Sequence, residues 1–174
     1  PDVTETPCVN NNFISFGSFN RLNKINREVI ALWCEVLRKL PDSRLQMAGM
    51  PSDGAPDELL TWFKEEEISE DRLYFYPRSG FVEYLKLHNQ VDFCLDTFPY
   101  TGGTTTMHAL WMGVPTLTLI GDTYPSAQGG AVNNRAGLSQ YFIADSQAEF
   151  VAKALFLAEN KDILKNMKYS LRAH

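Results

Sequence analysis

The clearest chemical potential in this sequence lies in the stretch 96–115, DTFPYTGGTTTMHALWMGVP, which follows a predicted buried strand and leads into a predicted helix. Gly102 and Gly103 let the backbone turn sharply and let a ligand approach where a Cβ would otherwise stand. The threonines at 104–106 begin the helix, where the first amide groups lack helical acceptors and the dipole favours negative charge. Phosphate binding is therefore one hypothesis, and a plain turn followed by a Thr N-cap is an equally good one. The spacing matches neither the Walker nor the GxGxxG pattern.

A second group of polar residues lies in the first predicted strand-to-helix loop, 17–26, with the sequence GSFNRLNKIN. Arg21 and Lys24 stand there beside Asn20, at the same predicted edge of the sheet as Gly103. A lysine in this place could neutralise a diphosphate leaving group as charge develops on it. The spacing alone supports a solvated loop cation at least as well.

Two further side chains are candidates for ligand contact. His108 follows Thr104 by about one helical turn, so its ring could point back towards the same ligand. For a lone histidine in an apolar helix, we favour an ordinary core or surface position. Gln128, in the segment SAQGG, lies at the start of another predicted helix and could reach a sugar hydroxyl or a phosphate. A capped helix with small residues for close packing explains that segment equally well.

Other residues of the central stretch favour structural roles. Asp96 ends a predicted strand, and we expect it to orient or cap the loop that follows. Trp111 and Met112 stand beside Ala109 and Leu110, and we expect them in the core.

The predicted elements alternate along the chain. Strands are predicted at 12–16, 44–48, 72–76, 91–95, 115–120 and 141–144, and helices at 27–40, 57–67, 81–87, 104–112 and 126–136. Two more helices follow, one capped by Ser146 and one starting at Asp162. This alternation predicts an α/β fold with a Rossmann-like parallel sheet and helices on both faces. Ligands of such sheets bind at the carboxyl ends of the strands, here the loops after Phe16, Tyr76, Leu95 and Ile120.

Length and composition fit one globular domain. The chain has 174 residues, of which 44% are hydrophobic and 21% charged. The net charge is −5 and the basic residues form no run, which argues against a nucleic-acid partner. No apolar run reaches the roughly 18 residues of a membrane span. The chain begins at Pro1 without Met or a secretory signal, and we expect it to be one domain of a longer protein.

The three cysteines, Cys8, Cys34 and Cys94, are odd in number and far apart. Cys34 and Cys94 fall in predicted core elements, and a reducing compartment is the simplest setting for them, so we expect a cytoplasmic protein. Together with the histidines, of which His174 is the last residue, they offer no zinc-ligand spacing, so we expect no structural metal.

Two segments of the chain resemble the carboxyl-terminal catalytic lobe of the O-linked N-acetylglucosaminyltransferase family. They are FGSFNRLNKIN and VDFCLDTFPYTGGTTTMHALWMGVPTLTL. That family includes bacterial members linked to tetratricopeptide repeats and resembles the plant SPINDLY proteins. The resemblance runs from about Asn12 to the end of the chain. It implies the second, UDP-holding lobe of a GT-B glycosyltransferase, with residues 1–174 as a single lobe. The amino-terminal lobe and the repeats, which carry the acceptor-binding surface, would lie outside this chain.

The resemblance implies a role for several residues. Lys24 matches a lysine that contacts the diphosphate, and Thr104 and Thr105 match two threonines whose helix N-terminus receives the phosphates. Arg78 and Ser79 match a segment whose backbone contacts the uracil. The chain has no Asp-x-Asp pair, the usual metal site of GT-A enzymes, so we expect a metal-independent reaction without a cofactor.

Five positions depart from the animal members of the family. Arg21 replaces a Gln, Gly103 a His, and His108 the Asp that meets the ribose. Phe81 and Tyr84 fall where a Lys and a His flank the nucleoside. These departures leave the donor sugar open between N-acetylglucosamine, glucose and fucose.

The leading hypothesis is therefore the donor lobe of an inverting enzyme that transfers N-acetylglucosamine to Ser or Thr of a protein. We expect this chain alone to bind UDP weakly and to transfer nothing. A lobe of a UDP-sugar epimerase and a non-catalytic nucleotide-binding or docking module are the alternatives. An epimerase should need acid and base carboxylates near the sugar, and no such pair stands in the predicted loops.

Overall fold

Within residues 1–173, which the computed structural model describes, six short parallel strands form one sheet. The strands are β1 (Ser15–Ser18), β2 (Arg44–Met50), β3 (Leu73–Pro77), β4 (Phe93–Leu95), β5 (Thr116–Leu119) and β6 (Ile143–Ala144). They lie in the order β3-β2-β1-β4-β5-β6. The predicted Rossmann-like α/β fold is confirmed. His174, which was named above among the histidines, lies outside the described residues.

Helices connect the strands. They are α1 (Arg27–Lys39), α2 (Asp57–Glu65), α3 (Phe81–Leu87), α4 (Thr104–Trp111), α5 (Tyr124–Arg135), α6 (Ser139–Phe142), α7 (Gln147–Glu159) and α8 (Lys161–Ser170). The predicted Ser146 N-cap is confirmed, and Asn26 caps α1 in the same way. The Asn26 side chain accepts a hydrogen bond from the Val29 amide at 3.0 Å, and Ser146 Oγ accepts one from the Glu149 amide at 3.1 Å.

The two faces of the sheet bury separate apolar clusters, because side chains alternate along each strand. Phe93 and Leu95 of β4 pack into the larger cluster, which includes residues of α1, α2 and α7. Cys94, between them, packs into a smaller cluster with Ala109 of α4. None of the helices within residues 1–173 has both the length and the apolarity that a bilayer crossing requires.

The chain reverses its direction of sheet growth after β3. It then places β4 on the other side of β1, with Phe16 opposite Phe93 and Gly17 opposite Cys94. The carboxyl ends of β1 and β4 therefore lie side by side at the topological switch point, where ligands of such sheets bind. The loops that follow these two strands meet there.

The predicted bounds of the first strand, 12–16, are wrong. β1 starts at Ser15 and continues through Gly17 to Ser18. A Cβ on Gly17 would lie 3.1 Å from Val91 Cγ2 and 3.2 Å from Cys94 Sγ. Close packing inside the sheet thus favours glycine at this position, and Gly17 does not end the strand.

The elements around the last strand also differ from their predicted bounds. Residues 139–142 form α6, and only Ile143 and Ala144 pair with β5. α5 begins at Tyr124 instead of 126, because Thr123 and Ser126 form a capping box and Pro125 fits the first turn, where no amide donor is needed.

A lysine is buried where α8 packs against the turn before β5. Lys168 is 1% exposed, and its Nζ donates to the His88 carbonyl at 3.5 Å. Gly113 in that turn has φ +71°, and a Cβ there would lie 1.9 Å from the Lys168 carbonyl oxygen. Burial lowers the pKa of Lys168 to about 8, although Asp92 and Cys94 oppose the shift.

We expect Lys168→Met to stabilise the chain, because a pKa near 8 implies that the buried charge costs about 3 kcal/mol at pH 7. Urea unfolding at pH 7 should show a gain of roughly 1–3 kcal/mol in the free energy of unfolding.

The pH dependence checks the cause. The unfolded chain holds the Lys168 proton up to a higher pH than the folded chain, so the free energy of unfolding should rise from about pH 8 towards pH 10.5. Lys168→Met should lose this rise, whereas Lys165→Met, on an exposed position of α8, should keep it. Unchanged stability together with an unchanged pH profile in Lys168→Met would contradict the assignment.

Candidate functional site

A pocket of about 620 Å³ opens at the carboxyl ends of β1 and β4. The loop after β1 and the loop after β4 form two of its sides, and α3, α4 and α5 supply the rest. Its lining residues are Phe19, Arg21, Asn23, Lys24, Tyr84, Tyr100, Gly103, Thr104, Thr105, His108 and Gln128.

The Asp96 carboxylate organises the loop after β4 from behind the pocket. It is 1% exposed. Its Oδ1 accepts hydrogen bonds from the Gly102 amide at 2.8 Å, the Thr97 amide at 2.9 Å and Asn20 Nδ2 at 3.1 Å. Its Oδ2 accepts one from Thr118 Oγ1 at 3.0 Å. The expected loop-orienting role of Asp96 is confirmed.

Burial raises the pKa of the Asp96 carboxyl to about 6, and the four hydrogen bonds oppose the shift. The group is therefore ionised at pH 7. The carboxylate oxygens accept their hydrogen bonds from groups behind the pocket. The pocket lining itself, among the described residues, includes neither Asp nor Glu.

Asn20 and Gly102, two of the candidate ligand-binding residues, lie behind the pocket wall and contact Asp96. A Cβ on Gly102 would stand 2.7 Å from Thr106 Oγ1 and 3.1 Å from Asn20 Oδ1. Gly102 is thus needed for close packing. The sharp turn expected at Gly102 and Gly103 does not use a positive φ at either residue. The glycines with positive φ are Gly49, Gly54, Gly113 and Gly137.

The second half of the loop is attached to α5. The Thr101 amide and hydroxyl both donate to the Pro125 carbonyl, at 3.0 and 2.7 Å, and the Gly129 amide donates to Thr101 Oγ1 at 2.9 Å. A Cβ on Gly129 would lie 2.6 Å from Asp96 Oδ2. The segment SAQGG therefore does provide close packing, as one of its two interpretations required.

The N-terminus of α4 opens into the pocket. Gly103 is the N-cap and supplies no side chain, so the first amide groups of the helix have no acceptor of the usual capping kind. Thr104 and Thr105 line the pocket beside them. The Gln128 side chain packs across Gly103, where an added Cβ would lie 2.6 Å from Gln128 Nε2.

Lys24 faces the pocket from the other loop. It ends the short 3-10 helix Leu22–Lys24, and Arg21 directly precedes that helix. Lys24 Nζ donates to the Thr101 carbonyl at 3.3 Å and lies 4.3 Å from the centre of the Tyr100 ring. Burial lowers the pKa of Lys24, the Asp96 charge opposes that shift, and Arg21 adds to it.

Aromatic side chains close the far side of the pocket. Tyr84 Oη lies 3.2 Å from His108 Nδ1, and the two rings meet edge to face at 5.6 Å. Phe81, which is 60% exposed, contacts the His108 ring edge to face at 5.2 Å. His108 is therefore a pocket residue and not a core one. Burial raises the pKa of the Tyr84 phenol, which stays protonated.

Arg78 and Ser79 are not part of the described pocket lining. Both are exposed, and the Arg78 amide donates to the Met50 carbonyl at 3.0 Å. The loop after β5 also contributes no lining residue, although α5, which follows it, contributes Gln128. The structure thus joins the loops after β1 and β4 in one pocket, together with Lys24, Thr104 and His108.

Sequence reasoning missed Phe19, Asn23 and Tyr100 as pocket residues. Phe19 and Asn23 stood inside the loop that was singled out for its cations, and Tyr100 stood two positions before the glycine pair. The core position expected for Trp111 is wrong, since its side chain is 55% exposed and Arg172 lies 5.0 Å from its ring, whereas Met112 is fully buried as expected.

The pocket is suited to an anion. Donors from Lys24, Arg21, Gln128 and the α4 N-terminus converge on it, and the lack of a lining carboxylate in residues 1–173 removes like-charge repulsion. No cluster of three or more His, Cys, Asp or Glu side chains suited to a metal ion is found in the same part of the chain.

Comparison with known proteins gives consistent matches. The family model described as Glycosyl transferase family 41 matches residues 5–174. The SPINDLY protein of Hordeum vulgare, a probable UDP-N-acetylglucosamine–peptide N-acetylglucosaminyltransferase, is 34% identical over 173 residues. That match covers 98% of this chain and 18% of the plant protein, so the chain spans about a fifth of the curated relative.

Solved structures agree with the fold. A mutant of the Thermobaculum terrenum O-GlcNAc transferase superposes with a TM-score of 0.83 at 31% identity, over 94% of this chain and 32% of that one. The pneumococcal O-GlcNAc transferase GtfA, solved with UDP and GlcNAc, gives a TM-score of 0.65 at 16% identity, over 92% of this chain and 32% of that one. This second likeness concerns the GT-B fold alone.

Replacing Asp96 tests whether the loop depends on it. Asp96→Ala deprives four donors of their acceptor, which at roughly 1–3 kcal/mol each outweighs the gain of about 3 kcal/mol from removing a buried charge. We expect the free energy of unfolding in urea at pH 7 to fall by roughly 3 kcal/mol.

Two variants serve as controls. Asp96→Asn keeps an acceptor oxygen for the three donors on Oδ1, so we expect a change within about 1 kcal/mol. Asp122→Ala, on an exposed loop position, should leave stability unchanged. Equal stability of Asp96→Ala and Asp122→Ala would show that the carboxylate does not hold the loop.

Proposed function

The chain belongs to glycosyl transferase family 41, and from that premise we propose that it is the nucleotide-sugar-binding lobe of a protein O-glycosyltransferase. The single observation that carries the proposal is the convergence of Lys24 and the N-terminus of α4 on one pocket at the switch point of the sheet. A nucleoside diphosphate brings two linked phosphates, which is the kind of ligand that a helix N-terminus and an ammonium group favour together.

We assign the leaving group to Lys24 and α4. As the bond between the sugar and the diphosphate breaks, negative charge develops on the departing phosphate. The amides of Thr104 and Thr105 and the Lys24 ammonium stabilise that charge without reorganising, because Asp96 and Thr101 already hold the loop. In this proposal Lys24 is the catalytic residue, and no metal or other cofactor takes part.

Three other pocket residues contact the remainder of the donor in this proposal. Arg21 and Gln128 supply polar contacts to the phosphates or the sugar, and His108, held by Tyr84, meets the nucleoside side of the pocket. Gly103, across which Gln128 packs, supplies the N-cap backbone of the helix that receives the phosphates. Arg78 and Ser79 lie outside the pocket lining, so in this proposal they contact the base only where it extends beyond the pocket.

The donor is proposed to be UDP-N-acetylglucosamine, transferred with inversion to Ser or Thr of a protein. The names of the Hordeum vulgare relative and of the Thermobaculum enzyme support this donor. Acceptor binding and the general base are assigned to an amino-terminal lobe with tetratricopeptide repeats beyond this chain. The buried, unpaired cysteines within the described residues support a reducing, cytoplasmic setting.

The epimerase alternative fits the pocket less well. Proton removal and return at a sugar carbon require an acid and a base beside the sugar. The pocket lining within residues 1–173 includes neither Asp nor Glu, and Asp96 is engaged by four donors behind the wall. A purely docking role leaves the uncapped helix and the facing lysine without a purpose.

Calorimetry with UDP, UDP-N-acetylglucosamine, UDP-glucose and GDP-fucose tests the proposal on this chain. We expect weak binding of UDP and a further gain for one UDP-sugar. Preference for the guanosine donor would overturn the choice of nucleotide, and binding of none of the four would overturn the proposed function of this lobe.

Lys24→Ala should weaken UDP binding by about tenfold, because one charge-assisted contact to phosphate is lost. Lys64→Ala is the matched control, since Lys64 is exposed in the last turn of α2, which runs back from the pocket edge of the sheet. Equal affinities for both variants would remove Lys24 from the site.

In the longer protein, the same Lys24→Ala change should abolish most of the transfer to an acceptor protein, whereas a docking role predicts no loss. A radiolabelled donor assay separates the two outcomes. This chain alone should show no transfer, and a measurable rate from it would contradict the assignment of acceptor binding to another lobe.

A further inference from the structure

Tyr100 presents an aromatic ring at the mouth of the pocket on a fixed backbone. The side chain is 50% exposed. Its carbonyl nevertheless accepts a hydrogen bond from Thr97 Oγ1 at 2.7 Å, and the next residue, Thr101, is buried and bonded to the Pro125 carbonyl. These hydrogen bonds hold the backbone from which the Tyr100 side chain projects.

The face of that ring lies against the Lys24 ammonium. Nζ stands 4.3 Å from the ring centre, within the range in which the ring quadrupole attracts a cation. The same Nζ donates to the Thr101 carbonyl at 3.3 Å, so the ring and the carbonyl belong to neighbouring residues of one loop. Among the described residues, Lys24 forms no ion pair with a carboxylate within 4.0 Å.

We propose that Tyr100 is a positioning residue for Lys24, which it holds charged and directed towards the N-terminus of α4. A four-carbon side chain that enters a partly desolvated pocket would otherwise turn outwards to water, since lysine is strongly hydrated and flexible. The aromatic face and the Thr101 carbonyl replace that hydration before any ligand arrives. The catalytic meaning of this arrangement rests on the function proposed above, but the arrangement itself does not.

Several groups act on Lys24 together with the ring. Burial disfavours the ammonium form, the Asp96 carboxylate behind the loop favours it, and the Arg21 guanidinium on the same loop disfavours it. Across the pocket stand His108 and the neutral Tyr84 phenol. Because the net effect lowers the pKa of Lys24, each favourable contact with the ammonium matters for keeping it charged.

The test compares Tyr100→Leu, which removes the aromatic face, with Tyr100→Phe, which keeps it. Lysine side chains labelled with ¹³C at Cε are followed by NMR from pH 7 to 12, and the Lys24 signal is identified by its loss in Lys24→Arg. Because both variants lack the ionisable phenol hydroxyl, they are compared with each other, and we expect the pKa of Lys24 to be lower by about half a unit in Tyr100→Leu than in Tyr100→Phe. Lys64 and Lys165, both exposed and away from the pocket, should titrate identically in all variants.

This readout separates the inference from the proposed function, because it needs no nucleotide. Equal Lys24 titrations in Tyr100→Leu and Tyr100→Phe would overturn the inference even if UDP still binds. A shifted titration in a chain that binds no UDP would support the positioning of Lys24 and overturn only the nucleotide assignment.

Where UDP does bind, affinity gives a second check. In Tyr100→Leu the affinity should begin to fall at lower pH than in Tyr100→Phe, because Lys24 loses its proton earlier when the aromatic face is absent. A loss of the same size at every pH would indicate that the ring acts as a wall of the pocket and not through Lys24.

Discussion

The buried carboxylate of Asp96 is the interaction on which the candidate site depends. It directly follows the central strand β4 and binds four donors that come from three separate parts of the chain. Two of them belong to its own loop, one to the loop after β1 and one to β5. This common acceptor fixes the glycine pair and the helix that follows relative to the loop that carries Lys24, and the Lys24 hydrogen bond to the Thr101 carbonyl adds a second link. The preorganisation that electrostatic stabilisation requires therefore begins behind the pocket and not within it.

The Asp96 carboxylate places a negative charge near a pocket suited to anions, and the geometry limits the electrostatic repulsion between that charge and an anion. The Asp96 oxygens are saturated by donors and shielded by the loop, whereas the pocket surface in the described residues offers ammonium, guanidinium, amide and hydroxyl groups. The same charge helps to keep Lys24 protonated despite its partial burial. A buried carboxylate behind the pocket wall can thus favour the charged form of a lysine in the pocket without itself lining the pocket.

The fold was predictable because strands buried on both faces produce apolar runs that alternate with amphipathic helices, and these patterns are local. The predicted strand bounds failed where the cause was distant: Gly17 packs tightly against Val91 and Cys94, which lie more than seventy residues away in the sequence. The same limit applies to the site. Lys24, Gly103 and the paired threonines stood out by type and spacing, but the engagement of Asn20 by Asp96 and of Tyr100 by Lys24 spans some seventy-six residues. Trp111 failed because helical position alone does not tell which neighbours cover a side chain.

The strand order has a consequence for the growing chain. While a ribosome has released only the first three strands, β1 still exposes the edge that β4 will occupy, and neither Asp96 nor the α4 amides yet exist in folded form. Lys24 is already made but has no partner to face. The pocket therefore forms late, when the crossover places β4 beside β1 and brings Thr101 up to Lys24.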